Sequence, residues 1–112
     1  MPTSGDVVDA DLGVPAGHEA GFPRPVVIIT AQRFLDRSPT VVHVVPLTTN
    51  LRAIGSEVPI SPEASGLRTP SSAQCQHLRS VSPSRLSAPR GNVGPVDLAR
   101  IRETVAVLLD LP

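Results

Sequence analysis

Short runs of branched apolar residues, separated by loops rich in Gly, Pro and Ser, predict a mainly β chain. Strands are expected at residues 5–12, 26–30, 40–48, 57–60, 71–81 and 90–93. The run from Val26 to Ile29 has no polar residue within it, so the second strand is expected to be buried on both faces. Loops are expected at 13–23, 51–56 and 61–70, and helical turns at 82–86 and at 31–38, where an irregular segment is the alternative.

The positions of the prolines and the alternation of side chains along each strand add detail to this prediction. Pro46, near the end of the third strand, predicts a bulge or a sheet edge, and Pro59 predicts that 57–60 is an edge strand. Within 71–81 the alternation predicts one face made of Ala73, Cys75 and His77 and an opposite face made of Gln74, Gln76 and Leu78.

The apolar period changes at Gly94, where an amphipathic helix is expected to begin. Pro95 suits the first helical position, and Asp97 adds a favourable acid in the first turn. The apolar positions that follow recur three and four residues apart, at Leu98, Ile101, Val105 and Leu108. This helix is expected to end near Leu111 and to cap the open end of a small barrel.

Length and charge narrow the possible functions. A chain of 112 residues predicts one domain over 1–112, of which 1–4 are expected to be flexible. The formal net charge is zero, so the overall charge does not attract nucleic acid. Every Lys or Arg position is Arg, whose planar side chain suits bidentate phosphate contacts, but high-GC coding produces the same bias. The only aromatic residues are Phe22 and Phe34, which makes a surface built on aromatic base stacking improbable.

Cysteine usage and the absence of sorting signals favour a cytoplasmic protein. With Cys75 as the single cysteine, no intrachain disulfide can form, and this residue is expected to be a small buried hydrophobe. No apolar run approaches the ~20 residues of a membrane helix, and the N-terminus does not resemble a secretory signal.

The segment from Gly17 to Thr30 is the first candidate for a site. His18 and Glu19 are titratable groups in a loop that has Gly17 and Gly21 as pivots. Pro25 disfavours a helical backbone at Arg24 and suits the start of a strand, so a guanidinium is expected at the mouth of a buried strand. The alternative is a solvated arginine ahead of a core strand.

The end of the third strand is the second candidate, because it presents Thr48, Thr49 and Asn50 at a point where the strand is irregular. Ordinary turn-forming residues are the alternative there. The three acids of the first strand alternate between its faces, which favours solvated or turn-binding roles for Asp6, Asp9 and Asp11.

A metal site is not expected, since the three histidines and Cys75 lack the close spacing of zinc ligands. His43, which lies among valines, is expected in the core or at an interface.

Several short motifs in a fixed order resemble the MazF/PemK family of toxin endoribonucleases. They are GDVVDADL, G-x-E before RPVVIIT, VVPLTTN, EVPI, GL, a Gln-rich strand ending in LRSV, SRL and a closing amphipathic helix, over about Gly5 to Leu111. The resemblance implies a small SH3-like or CcdB-like antiparallel β-barrel with a C-terminal α-helix. It also implies a homodimer that cleaves single-stranded RNA at short preferred sequences without a metal or other cofactor.

The family chemistry leaves 2′,3′-cyclic phosphate and 5′-hydroxyl ends, and a cognate antitoxin neutralises the toxin with an acidic tail in the RNA groove. Carried over by position, the resemblance implies catalytic roles for Arg24, Thr48 and Glu19, and we add His18 as a candidate for proton transfer. The expected RNA-binding residues are Gly17, Phe22, Thr49, Asn50, Gln76 and His77.

This chain departs from the family pattern at three positions. The aromatic residue that is common near Val8 is absent, and His18 and His77 replace a small polar residue and a Gln. These changes concern substrate preference rather than fold. Two rival functions remain open on the sequence: a CcdB-like gyrase poison, and an inactive relative that only binds an antitoxin.

Overall fold

A computed structural model of the chain describes residues 2–14, 16–19, 21 and 23–112. Its strands are β1 (Asp6–Asp11), β2 (Pro23–Ile28), β3 (Val42–Thr48), β4 (Glu57–Ile60), β5 (Ser71–Gln74), β6 (Arg79–Val81) and β7 (Leu86–Asn92). Its helices are α1 (Gln32–Leu35), α2 (Pro62–Ser65) and α3 (Gly94–Leu108), and 3₁₀ turns cover Cys75–His77 and Pro83–Arg85. The predicted class, mainly β with a C-terminal helix, is confirmed.

The strands form one antiparallel sheet in the order β4-β5-β3-β2-β1-β7, and β6 pairs with β3 beside this path. The expected edge position of β4 is confirmed. Among the described residues no ladder joins β4 to β7; instead α2, which follows β4 directly, packs on β7. This helix therefore brings the two ends of the sheet together in a barrel-like arrangement.

Consecutive residues of the central strands enter two different cores. Val7 and Val27 lie in one core with Ile101 of α3, whereas their neighbours Val8 and Val26 lie in the other. Because side chains alternate across a strand, adjacent valines can fill both cores. The absence of polar residues from the part of β2 after Pro25 thus has the expected cause, which is burial on both faces.

Pro46 does not produce a bulge in the pairing of β3 with β2, whose register is regular from Val44 up to Pro46. On the other side, β3 changes its partner: β6 pairs as far as Val44, and β5 begins at Leu47. His43 directs its N–H toward Thr30 Oγ1 (2.8 Å) and its C=O toward Ile29 N (3.0 Å), on the β2 side. Because backbone groups alternate in direction along a strand, the nitrogen of Pro46 faces the other side of β3. On that side β3 has no paired strand between Val44 and Leu47, so no ladder hydrogen bond needs an N–H at Pro46.

The single strand expected at 71–81 is wrong, because a 3₁₀ turn over Cys75–His77 separates β5 from β6. β5 pairs with the end of β3, and β6 pairs with its beginning. The turn therefore lies beside the part of β3 around Pro46 that neither strand pairs with. The turn removes Gln76 and His77 from the alternating pattern, and the faces expected for them do not form.

Smaller corrections concern loop and helix boundaries. β7 begins at Leu86 rather than near residue 90, and α2 lies inside the segment expected to be a loop. His43 is exposed and does not belong to the core. In α3 only the first half of the expected apolar face is buried, at Leu98 and Ile101, and the helix ends at an exposed Leu108. None of the helices in the described ranges has the length and apolar character that a membrane crossing requires.

Candidate functional site

A cavity of about 460 Å³ lies where the ends of β2, β3 and β5 meet the loop that precedes β2. It brings together seven of the residues singled out in the sequence, namely His18, Glu19, Arg24, Thr48, Asn50, Gln76 and His77. Gly17 and Thr49 do not line this cavity, and Phe22 lies outside the described residues. The side chains that the sequence did not single out are Arg52, Ile54, Ser56 and Gln74.

Arg24 is half-buried in β2, opposite Ala10 of β1. Its Nη1 donates a hydrogen bond to Gln74 Oε1 at 3.2 Å, which orients the guanidinium toward the cavity. Its Nε is buried and has no hydrogen-bond partner within the described part of the chain. No carboxylate there forms an ion pair with Arg24, so its charge is available to an anionic ligand.

Thr48 closes β3, and the pairing of β3 with β5 sets it opposite Ser72. Its Oγ1 accepts a hydrogen bond from the backbone N–H of Asn50 at 3.1 Å, which leaves the hydroxyl proton free to be donated. Arg24 and Thr48 therefore come from neighbouring strands and present a cation and a hydroxyl to the same cavity.

A buried carboxylate, Glu57, organises the floor beside these two residues. Its Oε2 accepts hydrogen bonds from Gln76 Nε2 at 2.9 Å, from Gln74 Nε2 at 3.4 Å and from Arg52 Nη2. Since Gln74 also accepts from Arg24, a chain of side chains runs from Glu57 through Gln74 to the guanidinium. The other carboxylate oxygen, Oε1, is buried and has no partner among the described residues.

The pKa of Glu57 reflects two opposing effects. Burial alone would raise the pKa, but the hydrogen bonds from Arg52, Gln76 and Gln74 and the charge of Arg52 together hold it below its ordinary value of 4.5. The carboxylate is therefore ionised at neutral pH and fixes Arg52. Of the two arginines that line the cavity, Arg24 is thus the one without an acidic partner among the described residues.

His77 lies in the same cavity, at the end of the 3₁₀ turn. Partial burial, together with the positive charges of Arg24 and Arg52, lowers the pKa of His77 below its ordinary value of 6.5. Its imidazole is therefore neutral at neutral pH and able to accept a proton.

The loop side of the cavity carries His18 and Glu19, both exposed. Glu19 Oε1 accepts a hydrogen bond from the backbone N–H of Ala16 at 3.1 Å, which folds the carboxylate back onto its own loop. His18 has no such restraint among the described residues.

The remaining chemistry-bearing residues lie elsewhere or are inert. Burial raises the pKa of the Cys75 thiol to about 11, so the expected role as a small buried hydrophobe is confirmed. Asp11 accepts from the N–H of Gly13 and Asp6 from that of Thr3, which confirms their turn-binding roles. In the described ranges no group of three or more His, Cys, Asp or Glu side chains could hold a metal ion.

The chain matches, over residues 3–109, the family described as PemK-like, MazF-like toxin of type II toxin-antitoxin system. It is 32% identical over 118 residues to Endoribonuclease MazF9 of Mycobacterium tuberculosis (strain ATCC 25618 / H37Rv), and the match covers 99% of this chain and 98% of that protein.

Two solved structures show the same fold at 25% identity. The Mycobacterium tuberculosis toxin MazF-mt6 has a TM-score of 0.79, with 96% of this chain and 98% of that chain covered. An endoribonuclease in complex with its cognate antitoxin, from Mycobacterial species, has a TM-score of 0.80, with 100% and 98% covered.

Proposed function

This chain belongs to the PemK-like, MazF-like toxins of type II toxin–antitoxin systems, and on that premise we propose that it is an endoribonuclease held inactive by a cognate antitoxin. One relative carries the name endoribonuclease, and a structural neighbour is an endoribonuclease in complex with its antitoxin. The observation that carries the proposal is the cavity in which the guanidinium of Arg24, which has no carboxylate partner among the described residues, lies together with the hydroxyl of Thr48.

The reaction proposed is cleavage of single-stranded RNA through its own 2′-hydroxyl. The 2′-oxygen attacks the phosphorus, the bond from phosphorus to the 5′-oxygen breaks, and a 2′,3′-cyclic phosphate and a 5′-hydroxyl result. Arg24 binds two non-bridging oxygens of the phosphate and stabilises the charge that builds up on them. Thr48 donates a hydrogen bond to the same group. A guanidinium stays protonated in ordinary sites, so another residue must accept the 2′-proton.

Two groups of residues divide the proton transfers. The neutral imidazole of His77 accepts the proton of the 2′-hydroxyl, since it lines the cavity beside Arg24 and its pKa lies below 6.5. His18, on the opposite loop, gives a proton to the departing 5′-oxygen, and the carboxylate of Glu19 beside it accepts a hydrogen bond from the substrate. Asn50 and Gln76 contact the bases or sugars that flank the cleaved bond. We expect no metal or other cofactor. Because the proposed target is RNA, we also expect the protein to act in the cytoplasm.

The test is cleavage of a defined RNA by the purified chain and by Arg24→Ala, with Arg37→Ala as a matched control. Arg37 is an exposed arginine that lines none of the described cavities. We expect cleavage by the wild type in the presence of EDTA, 5′-hydroxyl ends at mapped positions, and loss of cleavage only in Arg24→Ala. Removing a preorganised group that stabilises transition-state charge commonly costs about 10²–10³ in rate.

Near-normal cleavage by a folded Arg24→Ala variant would contradict the assignment of this cavity. Intact RNA together with inhibited DNA gyrase would favour the CcdB-like alternative, and intact RNA with antitoxin binding would favour an inactive relative.

A further inference from the structure

A second cavity, of about 220 Å³, adjoins the first and shares Thr48 with it. Pro25, the residue after Arg24, also lines it, so the two cavities flank the Arg24–Thr48 pair. Its polar lining consists of two arginines, Arg68 and Arg90, and of the hydroxyl residues Thr48, Thr49, Thr69 and Ser71. No carboxylate is present among the described residues that line it.

Two glycines build this cavity by letting α2 approach β7 closely. Gly66 ends α2 with φ of +76°, and a Cβ there would lie 2.1 Å from the carbonyl oxygen of Arg90. A Cβ on Gly91 would lie 2.4 Å from the carbonyl carbon of Ser65. Because both contacts require the absence of a side chain, the segment that carries Arg68 is held against the strand that carries Arg90.

Both guanidinium groups are available to a ligand. Arg68 is exposed and has no hydrogen-bond or ion-pair partner within the described residues. Arg90 pairs with Asp9 at 3.2 Å, but their side chains are 34% and 47% exposed, and pairs of this kind contribute little to stability. A phosphate group, whose two non-bridging oxygens match the guanidinium fork, can therefore replace Asp9 as the partner of Arg90.

We propose that this second cavity binds a phosphate of the RNA strand next to the cleaved bond, an inference that rests on the proposed nuclease function. The substrate of an endonuclease continues on both sides of its cleaved bond, so the strand must cross the surface beside the first cavity. The guanidinium group of arginine and the hydroxyl groups of Ser and Thr can donate hydrogen bonds to phosphate oxygens. Thr48, which lies between the cavities, contacts the cleaved phosphate, and Arg68 with Arg90 contacts a neighbouring one.

The test uses an RNA with a mapped cut site, blocked by a 2′-deoxyribose at the cut, and versions trimmed from either end toward that site. Binding is measured against salt concentration for the wild type, Arg68→Ala, Arg90→Gln and the control Arg37→Ala. We expect each cavity variant to bind the full RNA roughly ten-fold more weakly and its salt slope to fall by about 0.7, the value for one phosphate contact to a single strand.

Trimming the RNA on one side of the cut site is expected to abolish the difference in affinity between Arg68→Ala and the wild type. The side on which trimming has this effect shows in which direction the RNA strand crosses the second cavity. An unchanged affinity and salt slope in Arg68→Ala, or a defect independent of RNA length, would overturn the proposal. If Arg68→Ala instead weakens only the binding of an oligoglutamate peptide, the cavity serves an acidic protein partner and the proposal is wrong. Failure of the wild type to cleave any RNA would count against the proposed function itself.

Discussion

At the scale of single residues, the surroundings of His77 decide which way it can move a proton. Partial burial, and then the nearby positive charges of Arg24 and Arg52, disfavour the imidazolium form and lower the pKa of His77. His77 is therefore deprotonated at a pH where an unperturbed histidine would still be partly charged. This is the state required of an acceptor for the 2′-proton.

We expect the rate of RNA cleavage, as kcat/KM, to rise with pH through a limb that lies below pH 6.5, because His77 must be deprotonated to accept the 2′-proton. His77→Gln should lose that limb and most of the rate, because it keeps hydrogen bonding but cannot accept the proton. His18→Ala should keep the limb. Persistence of the limb in His77→Gln, with its loss in His18→Ala, would identify His18 as the acceptor instead.

Glu57 acts at the same scale through contacts that it makes with other site residues. Its side chain is 1% exposed, whereas that of its partner Arg52 is 45% exposed, so the carboxylate depends on the donors around it. Without its charge, Gln74 and Gln76 would lose the acceptor that fixes them, and Arg24 would lose an oriented partner.

Glu57→Gln, which keeps the shape of the side chain, is expected to lower the free energy of unfolding at neutral pH by about 1.5–3 kcal/mol, the range for hydrogen bonds to a charged group. Because the pKa of Glu57 is lowered by folding, its contribution is present above pH 4.5 and disappears as the pH falls further. Urea unfolding at several pH values should therefore show the two proteins converging in acid. A constant difference at every pH would mean that the charge contributes nothing.

At the scale of the elements, β3 and the α2–β7 contact position the site. β3 pairs with β2 along one side and changes from β6 to β5 along the other, and this change leaves room for the 3₁₀ turn that carries Gln76 and His77. α2 sets Arg68 beside Arg90 because two glycines allow close packing.

A comparison of Gly66→Ala with Gly13→Ala separates the energetic cost of overpacking from the cost of a positive φ. Gly13 has φ of +77°, much like Gly66, but a Cβ there would meet nothing within 4 Å. We expect Gly13→Ala to cost about 1–2 kcal/mol in unfolding free energy, from the positive φ alone. Gly66→Ala should cost about 1–3 kcal/mol more, from overpacking against Arg90. Equal losses in urea unfolding would show that the close approach does not matter for stability.

At the scale of the whole molecule, the second half of α3 leaves an apolar surface exposed next to the site. Val107 and Leu108 line a shallow cavity with Gly55 and Ser56, and the neighbouring Ile54 lines the first cavity. A second copy of the chain that covers this surface would adjoin the RNA site. If the chain forms the homodimer that its resemblance to the family implies, we expect the contact at the C-terminal half of α3 and the 51–56 loop.

Val107→Asn is expected to shift the protein toward monomer in sedimentation velocity, because it places an amide in the contact. Val96→Asn is the control, since both valines are on α3 and exposed, at 78% for Val107 and 66% for Val96. Asn avoids a charge that would interact with the helix dipole. A dimer that persists equally in both variants would place the contact elsewhere.

The sequence by itself determined most of the strands, the closing helix and most residues of the candidate site. Alternation and branched apolar runs are local signals, so β2 and β3 were predictable, and with them the positions of Arg24 and Thr48 at strand ends. The burial of Cys75 and the turn-binding acids were predictable for the same reason.

Only the tertiary structure decided which distant residues meet. Glu57 reads as the first residue of an edge strand, and its role depends on its register with Gln74, which in turn contacts Arg24 fifty residues earlier. The break at Cys75–His77 likewise depends on which strands pair with β3, and the cavity that contains Arg68 and Arg90 depends on the packing of α2 on β7. Local periodicity specifies the face on which a side chain lies but not its neighbour on another strand, because strand order and register depend on packing of the whole sheet.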